Sequence, residues 1–250
     1  MPLPGDYESR QIATPNEITL TLSMDKAPEP IHSSTDQKRK CYAIIPAAGR
    51  SHRMGTSKLL LPWPSPKRPN GLVIEQVIEA WTRSNVAKTI IVIRKKDKSG
   101  VIEACKNLPA HIVFADEPPD MTASIQAGLK YIIKHKNPSP NDSFLIAPAD
   151  LPTLSSQLIN RVLAFDPNFS QIVVPIFGGK RGHPVLFPWR FYNDVFRLPI
   201  DAGVNQILEK NKESAIALPV EEHLQDIDTP KEYRRALNGW KSKISKNNST

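Results

Sequence analysis

A chain of 250 residues with 40% hydrophobic, 23% charged and 7% aromatic positions has room for one large domain with a sizeable core and is short for two average ones. No run approaches the roughly 18 apolar residues of a membrane span, and the start MPLPGDYESRQ carries Asp6 and Glu8 in place of an apolar leader segment, so a cytoplasmic location is expected and membrane insertion is not. Net charge is +8, yet residues 1–37 hold six acids against two bases, whereas residues 37–74 hold eight bases and no acid, a stretch that suits either an anion or a solvated face.

Residues 1–38 carry five prolines and no sustained apolar period, which reads as a disordered extension. The folded part is expected over residues 39–240. Apolar, β-branched runs predict strands at 42–46 (YAIIP), 89–93 (TIIVI), 111–115 (HIVFA), 144–147 (FLIA), 172–177 (IVVPIF), 184–187 (PVLF) and 215–220. Helical spacing appears between them: Ile74, Val77, Ile78 and Trp81, then Ile125, Leu129, Ile132 and Ile133 behind Thr122 as a cap, then Leu158, Ile159, Val162 and Leu163. Pro230 opens a last helix from the favoured first position, and residues 241–250 (KSKISKNNST) read as a flexible basic tail. Strand and helix alternation predicts an α/β fold, a mostly parallel sheet with helices on both faces, broken by one antiparallel excursion around GGKRGHP. Ligands in such sheets sit at the carboxyl ends of the strands. Two cysteines, Cys41 and Cys105, and six histidines that never join them at zinc-ligand spacing exclude a disulfide scaffold and a structural zinc site.

The first strand runs into Ala47-Ala48-Gly49-Arg50, and the loop continues through Arg53 and Gly55 to Lys58. Its spacing matches neither a Walker A loop nor GxGxxG, but small residues, two glycines and basic partners are the parts of a phosphate cradle; a plain glycine turn is the alternative. In FLIAPADLP, Asp150 follows a buried strand, where a carboxylate either holds Mg²⁺ against a nucleotide's phosphates or caps a helix. In QDIDTPKEY, Asp226 and Asp228 are expected to point apart, so that only one reaches the site; Asp228 or Thr229 otherwise caps the helix that Pro230 begins. Gly182 and His183 are expected on the turn of the excursion, where they either close over a substrate or serve the fold. Thr122 and Ser124 open a helix whose hydroxyls and free N–H groups meet ribose or base, or cap it.

Taken in order, AAGRSHRMGTSKLLLP, MTASIQAGL, APADLP, GGKRGHPVLF and DIDTPKEY resemble the nucleotidyltransferase family of molybdenum cofactor cytidylyltransferases and guanylyltransferases over about residues 42–240. The resemblance implies a Rossmann-like nucleotidyltransferase fold with Ala47, Ala48, Gly49, Arg50 and Gly55 around the nucleotide, joined by Thr122 and Ser124. It implies Arg53 and Lys58 as catalytic triphosphate partners, Asp150 as the catalytic Mg²⁺ ligand with Asp228 second, and Gly182 and His183 on the acceptor. Ala48 in the first loop, and GHP, resemble the cytidylyl branch, which implies CMP transfer from CTP to the phosphate of a molybdopterin-type pterin, with a molybdoenzyme as a downstream partner. An acceptor phosphate with its second pKa near 6 needs no protein base at neutral pH. A GTP-using or sugar or polyol phosphate enzyme shares these motifs, and a non-enzymatic cofactor carrier would be favoured by loss of either aspartate. Nucleic-acid binding ranks last, because residues 37–74 offer only Tyr42 and Trp63 as stacking platforms. The segment WPSPKRPN after Pro62 departs from the family's simplest pattern.

Overall fold

In a computed structural model the described residues are 39–49, 57–96, 100–116, 120–199, 202–221, 224 and 226–247. The expected extension over residues 1–38 lies outside them.

Eight strands form one sheet: β1 (Cys41–Pro46), β2 (Lys88–Arg94), β3 (His111–Ala115), β4 (Ser143–Ile146), β5 (Ile172–Phe177), β6 (Lys180–Arg181), β7 (Val185–Pro188) and β8 (Ala215–Val220). The sheet runs β3-β2-β1-β4-β7-β5-β6, with β8 paired to β5. Strands β1 to β4 pair in parallel, β7 runs antiparallel to β4 and β5, and β8 is parallel to β5. The expected α/β architecture, mostly parallel with one antiparallel excursion, is therefore the observed one. Two details differ. The excursion turns at Gly178-Gly179, whose φ values of 53° and 79° suit glycine in a tight hairpin, and Lys180–Arg181 already pair back onto β5. Gly182 and His183 thus lie on the returning chain between β6 and β7 rather than on the turn.

Central strands are apolar on both sides because both sides are covered. Successive side chains of β1 alternate: Ala43 and Ile45 enter one core with Ile91, Ile93 and Leu145, while Ile44 enters the other with Ile90, Val92, Phe144 and Ile146. On the first face pack α1 (Val73–Thr82), α2 (Val101–Cys105), α4 (Ser156–Phe165) and α7 (Pro230–Asn247); on the second pack α3 (Met121–Lys136), α5 (Tyr192–Phe196) and α6 (Asn205–Lys210). Helix α3 lies close over β1 because residue 128 is glycine; a Cβ there would sit 2.8 Å from Ile44 Cγ2.

Helix ends resolve several open readings. Asp120, not Thr122, caps α3 by accepting from Ala123 N–H at 2.7 Å. Ser155 caps α4 through Leu158 N–H. Thr229 and Glu232 form a reciprocal box at the start of α7: Thr229 N–H donates to Glu232 Oε2 at 2.8 Å and Glu232 N–H to Thr229 Oγ1 at 3.3 Å. Helix α7 then continues through Asn247, so residues 241–247 extend it where a tail was expected.

The WPSPKRPN segment folds onto this helix. Pro62 bridges Leu72, Trp63 N–H donates to Gly71 O, and Trp63 is buried against the Tyr233 and Trp240 rings at centroid distances of 6.3 and 6.0 Å. Tyr233 Oη donates to Pro62 O at 2.7 Å and Trp240 Nε1 to Pro64 O at 2.8 Å. Among the described bases of the basic stretch, Arg39 bonds Asn168, Arg68 pairs with Glu79, and Lys58 turns to carboxylates. No helix among the described residues is long and apolar enough to cross a membrane.

Candidate active site

The carboxyl ends of β1 and β4 are adjacent, and two chain segments leave them together. After β4, Ala147 N–H donates to Ile44 O and Ala149 N–H to Pro46 O, so the chain stays bonded to β1 until it reaches Asp150. Lys58 stands on a short 3-10 turn, Lys58–Leu60, fixed by burial of Leu59. Its Nζ donates to Asp150 Oδ2 and, at 2.8 Å, to Asp228 Oδ1. Three segments far apart in sequence therefore converge on one ammonium.

The capping assignments explain why both aspartates are available. Ser155 satisfies α4 and Thr229 satisfies α7, so neither Asp150 nor Asp228 is engaged as a cap. The expectation that Asp226 and Asp228 point apart fails, since residues two apart on an extended chain share a side. Burial, then the charges of Asp228 and Asp150, push the Asp226 carboxyl above its usual range. Burial works to lower the Lys58 pKa, but Asp150 and Asp228 more than offset it and hold the ammonium charged. Asp150 is only 16% exposed and Lys58 19%, against 42% for Asp228.

Asp150 Oδ1 is buried with no hydrogen-bond partner among the described residues. A bare carboxylate oxygen in that position is costly unless a cation or donor meets it. Mg²⁺ is commonly held by one or two carboxylates, with water and substrate phosphates completing six oxygens, so Asp150 with Asp228 fits its chemistry. Among the described residues no group of three or more His, Cys, Asp or Glu is arranged to hold a metal alone.

Around this centre the other expected residues separate into four groups. Ala47 N–H donates to Val92 O, Ala48 is buried, and a Cβ on Gly49 would meet nothing within 4 Å. Arg50, Arg53 and Gly55 lie outside the described residues. His183 is brought to the centre: its Nδ1 donates to Ile146 O at 3.3 Å, and it feels Asp150 and Asp226, although burial dominates and lowers its pKa. The ring is therefore neutral near pH 7. Gly182 has a packing reason to be glycine, because a Cβ would fall 2.5 Å from the Phe177 ring. Thr122 and Ser124, expected at the nucleotide, are instead buried; Thr122 Oγ1 donates to Ala202 O at 2.6 Å and Ser124 Oγ to Asp120 O at 3.3 Å. Their hydroxyls serve the fold.

A model of the MobA-like NTP transferase domain matches residues 43–215, which hold Lys58, Asp150 and most of the sheet. The chain belongs to this family. Within the MobA-like family it is 27% identical over 146 residues to a probable molybdenum cofactor guanylyltransferase of Bacillus mycoides, an alignment covering 57% of this chain and 64% of the relative. It is 30% identical over 127 residues to a molybdenum cofactor guanylyltransferase of Xanthomonas euvesicatoria, covering 51% and 56%. Against a molybdenum cofactor cytidylyltransferase of Escherichia coli identity is 23% over 191 residues, covering 76% and 92%. The chain thus spans less than two thirds of the two guanylyltransferases. Solved structures share the fold: a nucleotidyl transferase from Methanothermobacter (TM-score 0.65, 21% identity, 82% of this chain and 99% of that one) and a Mycobacterium tuberculosis protein solved with manganese (TM-score 0.64, 20%, 80% and 98%).

One residue beside the candidate site escaped the sequence reading. Arg94 ends β2, and its Nη2 donates to Ala48 O at 2.5 Å, holding the carbonyl where the first loop leaves β1. The signal was a charge, Arg94, ending the strand KTIIVIR directly after its buried apolar run IIVI.

Proposed function

We propose that this chain is a Mg²⁺-dependent nucleotidyltransferase that moves CMP from CTP to the phosphate of a molybdopterin-type acceptor and releases pyrophosphate. The carrying observation is the Lys58 ammonium spanning Asp150 and Asp228 at the ends of β1 and β4, with Asp150 Oδ1 buried and unpartnered beside it. Asp150 and Asp228 would hold the metal, which when bound neutralises and orients the charge of the reacting phosphates. Lys58, with the loop amides at Ala48 and Gly49 and the bases Arg50 and Arg53, takes the triphosphate and stabilises the departing pyrophosphate. An oxygen of the acceptor phosphate attacks the α-phosphorus, and the bond from that phosphorus to the bridging oxygen of the β-phosphate breaks. No proton need move, because the acceptor is mostly a dianion at neutral pH. His183, neutral and held by Ile146 O, orients the acceptor side with Gly182. The reading implies a cytoplasmic enzyme that hands its product to a molybdoenzyme.

CTP is favoured by Ala48 and GHP and by the broader match to the cytidylyltransferase; two relatives named as guanylyltransferases favour GTP as the second reading. Pyrophosphate release measured with CTP and GTP in parallel, with and without molybdopterin, separates them. Acceptor-dependent release from CTP is expected. Equal or better use of GTP moves the chain to the guanylyl reading, and no acceptor-dependent release from either overturns the proposal.

A further inference from the structure

We propose that Lys58 is an internal cation which the divalent metal must displace, so that metal binds firmly only when a nucleotide's phosphates arrive to accept the ammonium. The inference rests on the nucleotidyltransferase reading above and adds an order of events to it.

The basis is geometric. Lys58 Nζ bonds Asp150 Oδ2 and Asp228 Oδ1 at once, the same two carboxylates that suit a divalent ion, and Asp226 adds a third carboxylate that feels both. An ammonium and a divalent ion within a few ångströms on shared oxygens repel strongly where water is scarce, and Asp150 and Lys58 are both more than four-fifths buried. They do not share the pair; one of them leaves. Lysine is suited to leaving, because its flexible stem can swing while the turn, held by Leu59, stays in place. A triphosphate supplies the two things the exchange needs, new acceptors for the ammonium and oxygens that complete the metal's shell. Lys58 thereby opposes metal without nucleotide and supports the pair together, a positive coupling between two ligands.

The contrary arrangement is also definite: metal takes only Asp150 Oδ1, and Lys58 remains on Oδ2 as a support. The two arrangements give opposite signs when the ammonium is removed. The test is Mn²⁺ binding to the metal-free, full-length protein by electron paramagnetic resonance, without nucleotide, for wild type, Lys58→Met and Lys58→Gln. Displacement predicts Mn²⁺ affinity about tenfold or more tighter in both variants, the scale of a lost charge-assisted bond, and an advantage that disappears when CTP is added. Unchanged or weaker Mn²⁺ binding in both would overturn it. A wild-type measurement stands independently of folding in the variants: the ¹⁵N signal of the Lys58 ammonium should shift with Mg²⁺ and CTP together and stay nearly fixed with Mg²⁺ alone, and a full shift with Mg²⁺ alone would also contradict the coupling. Asp150→Asn is the control for the underlying reading. If it leaves Mn²⁺·CTP binding intact, the metal assignment fails whatever Lys58 does; if it abolishes that binding while the Lys58 variants do not gain affinity, only the displacement fails.

Discussion

The two aspartates of the site are held by different kinds of structure. Asp150 follows a central strand and stays bonded to β1 through Ala147 and Ala149, so the sheet itself fixes it. Asp228 is more exposed and precedes α7, whose position depends on its Thr229 cap and on the grip of Trp240 and Tyr233 on residues 62–64. One carboxylate is a product of the core, and the other of a tertiary clasp between an insertion near the start of the fold and a helix at its end. Catalytic demand should therefore fall mainly on the first, and the tuning of the site on the second.

Substitution of each carboxylate tests that contrast at its strongest. Asp150→Asn is expected to lower turnover at least about a hundredfold with little change in Tm, since Lys58 keeps Asp228 as a partner. Asp228→Asn should cost about tenfold, as it leaves the buried ligand in place. Equal losses, or near-normal turnover in a folded Asp150→Asn protein, would erase the proposed difference.

Arg94→Ala removes a charged hydrogen bond to the Ala48 carbonyl and so loosens the loop on its β2 side, across β1 from Asp150. The KM for nucleotide should rise about tenfold with a smaller change in kcat, and Arg94→Lys should recover part of it, because the bond is worth roughly 1.5–3 kcal/mol. A fall in kcat alone, with KM unchanged, would mean that Arg94 positions something other than the loop.

The clasp itself is probed by Trp240→Phe, which keeps the ring against Trp63 and deletes the bond to Pro64 O. Denaturant unfolding should show a loss of about 1 kcal/mol, and metal-dependent turnover should fall several-fold with it. A stability loss with unaltered turnover would uncouple α7 from the site.

Smallest is Asp226→Asn. The folded-state pKa of Asp226 is raised above 3.8, so its carboxylate opposes folding at neutral pH, and that opposition disappears as pH falls below the ordinary value. The variant should melt slightly above wild type at pH 7 and together with it below about pH 3.8. A variant less stable at pH 7 would show that Asp226 has a stabilising partner.

How much of this was legible in the sequence depended on whether a signal was local. The seven longer strands were visible as largely apolar runs, near-continuous where the sheet is covered on both faces, as in IVVPIF and FLIA. Strand β6 is Lys-Arg and carries no apolar signal; its pairing follows from the Gly178-Gly179 turn. At the start of α3 the apolar spacing pointed to Thr122 as the cap, but Asp120 takes that place, and Thr122 is committed instead to Ala202, 80 residues away, a contact with no local trace. Asp150, Asp228 and Lys58 were visible as motif residues, yet their meeting at one ammonium is a property of the sheet order. The Trp63–Trp240 contact spans most of the chain and had no local trace.

The central claim is that a divalent ion belongs on Asp150 at the ends of β1 and β4. An anomalous difference map from crystals grown with Mn²⁺ and a non-hydrolysable CTP analogue tests it most directly. The account predicts a peak within about 2.0–2.3 Å of an Asp150 oxygen, bridging to the nucleotide's phosphates, with Lys58 Nζ moved from the carboxylates onto those phosphates. A metal peak bound to the nucleotide but away from Asp150 would contradict it.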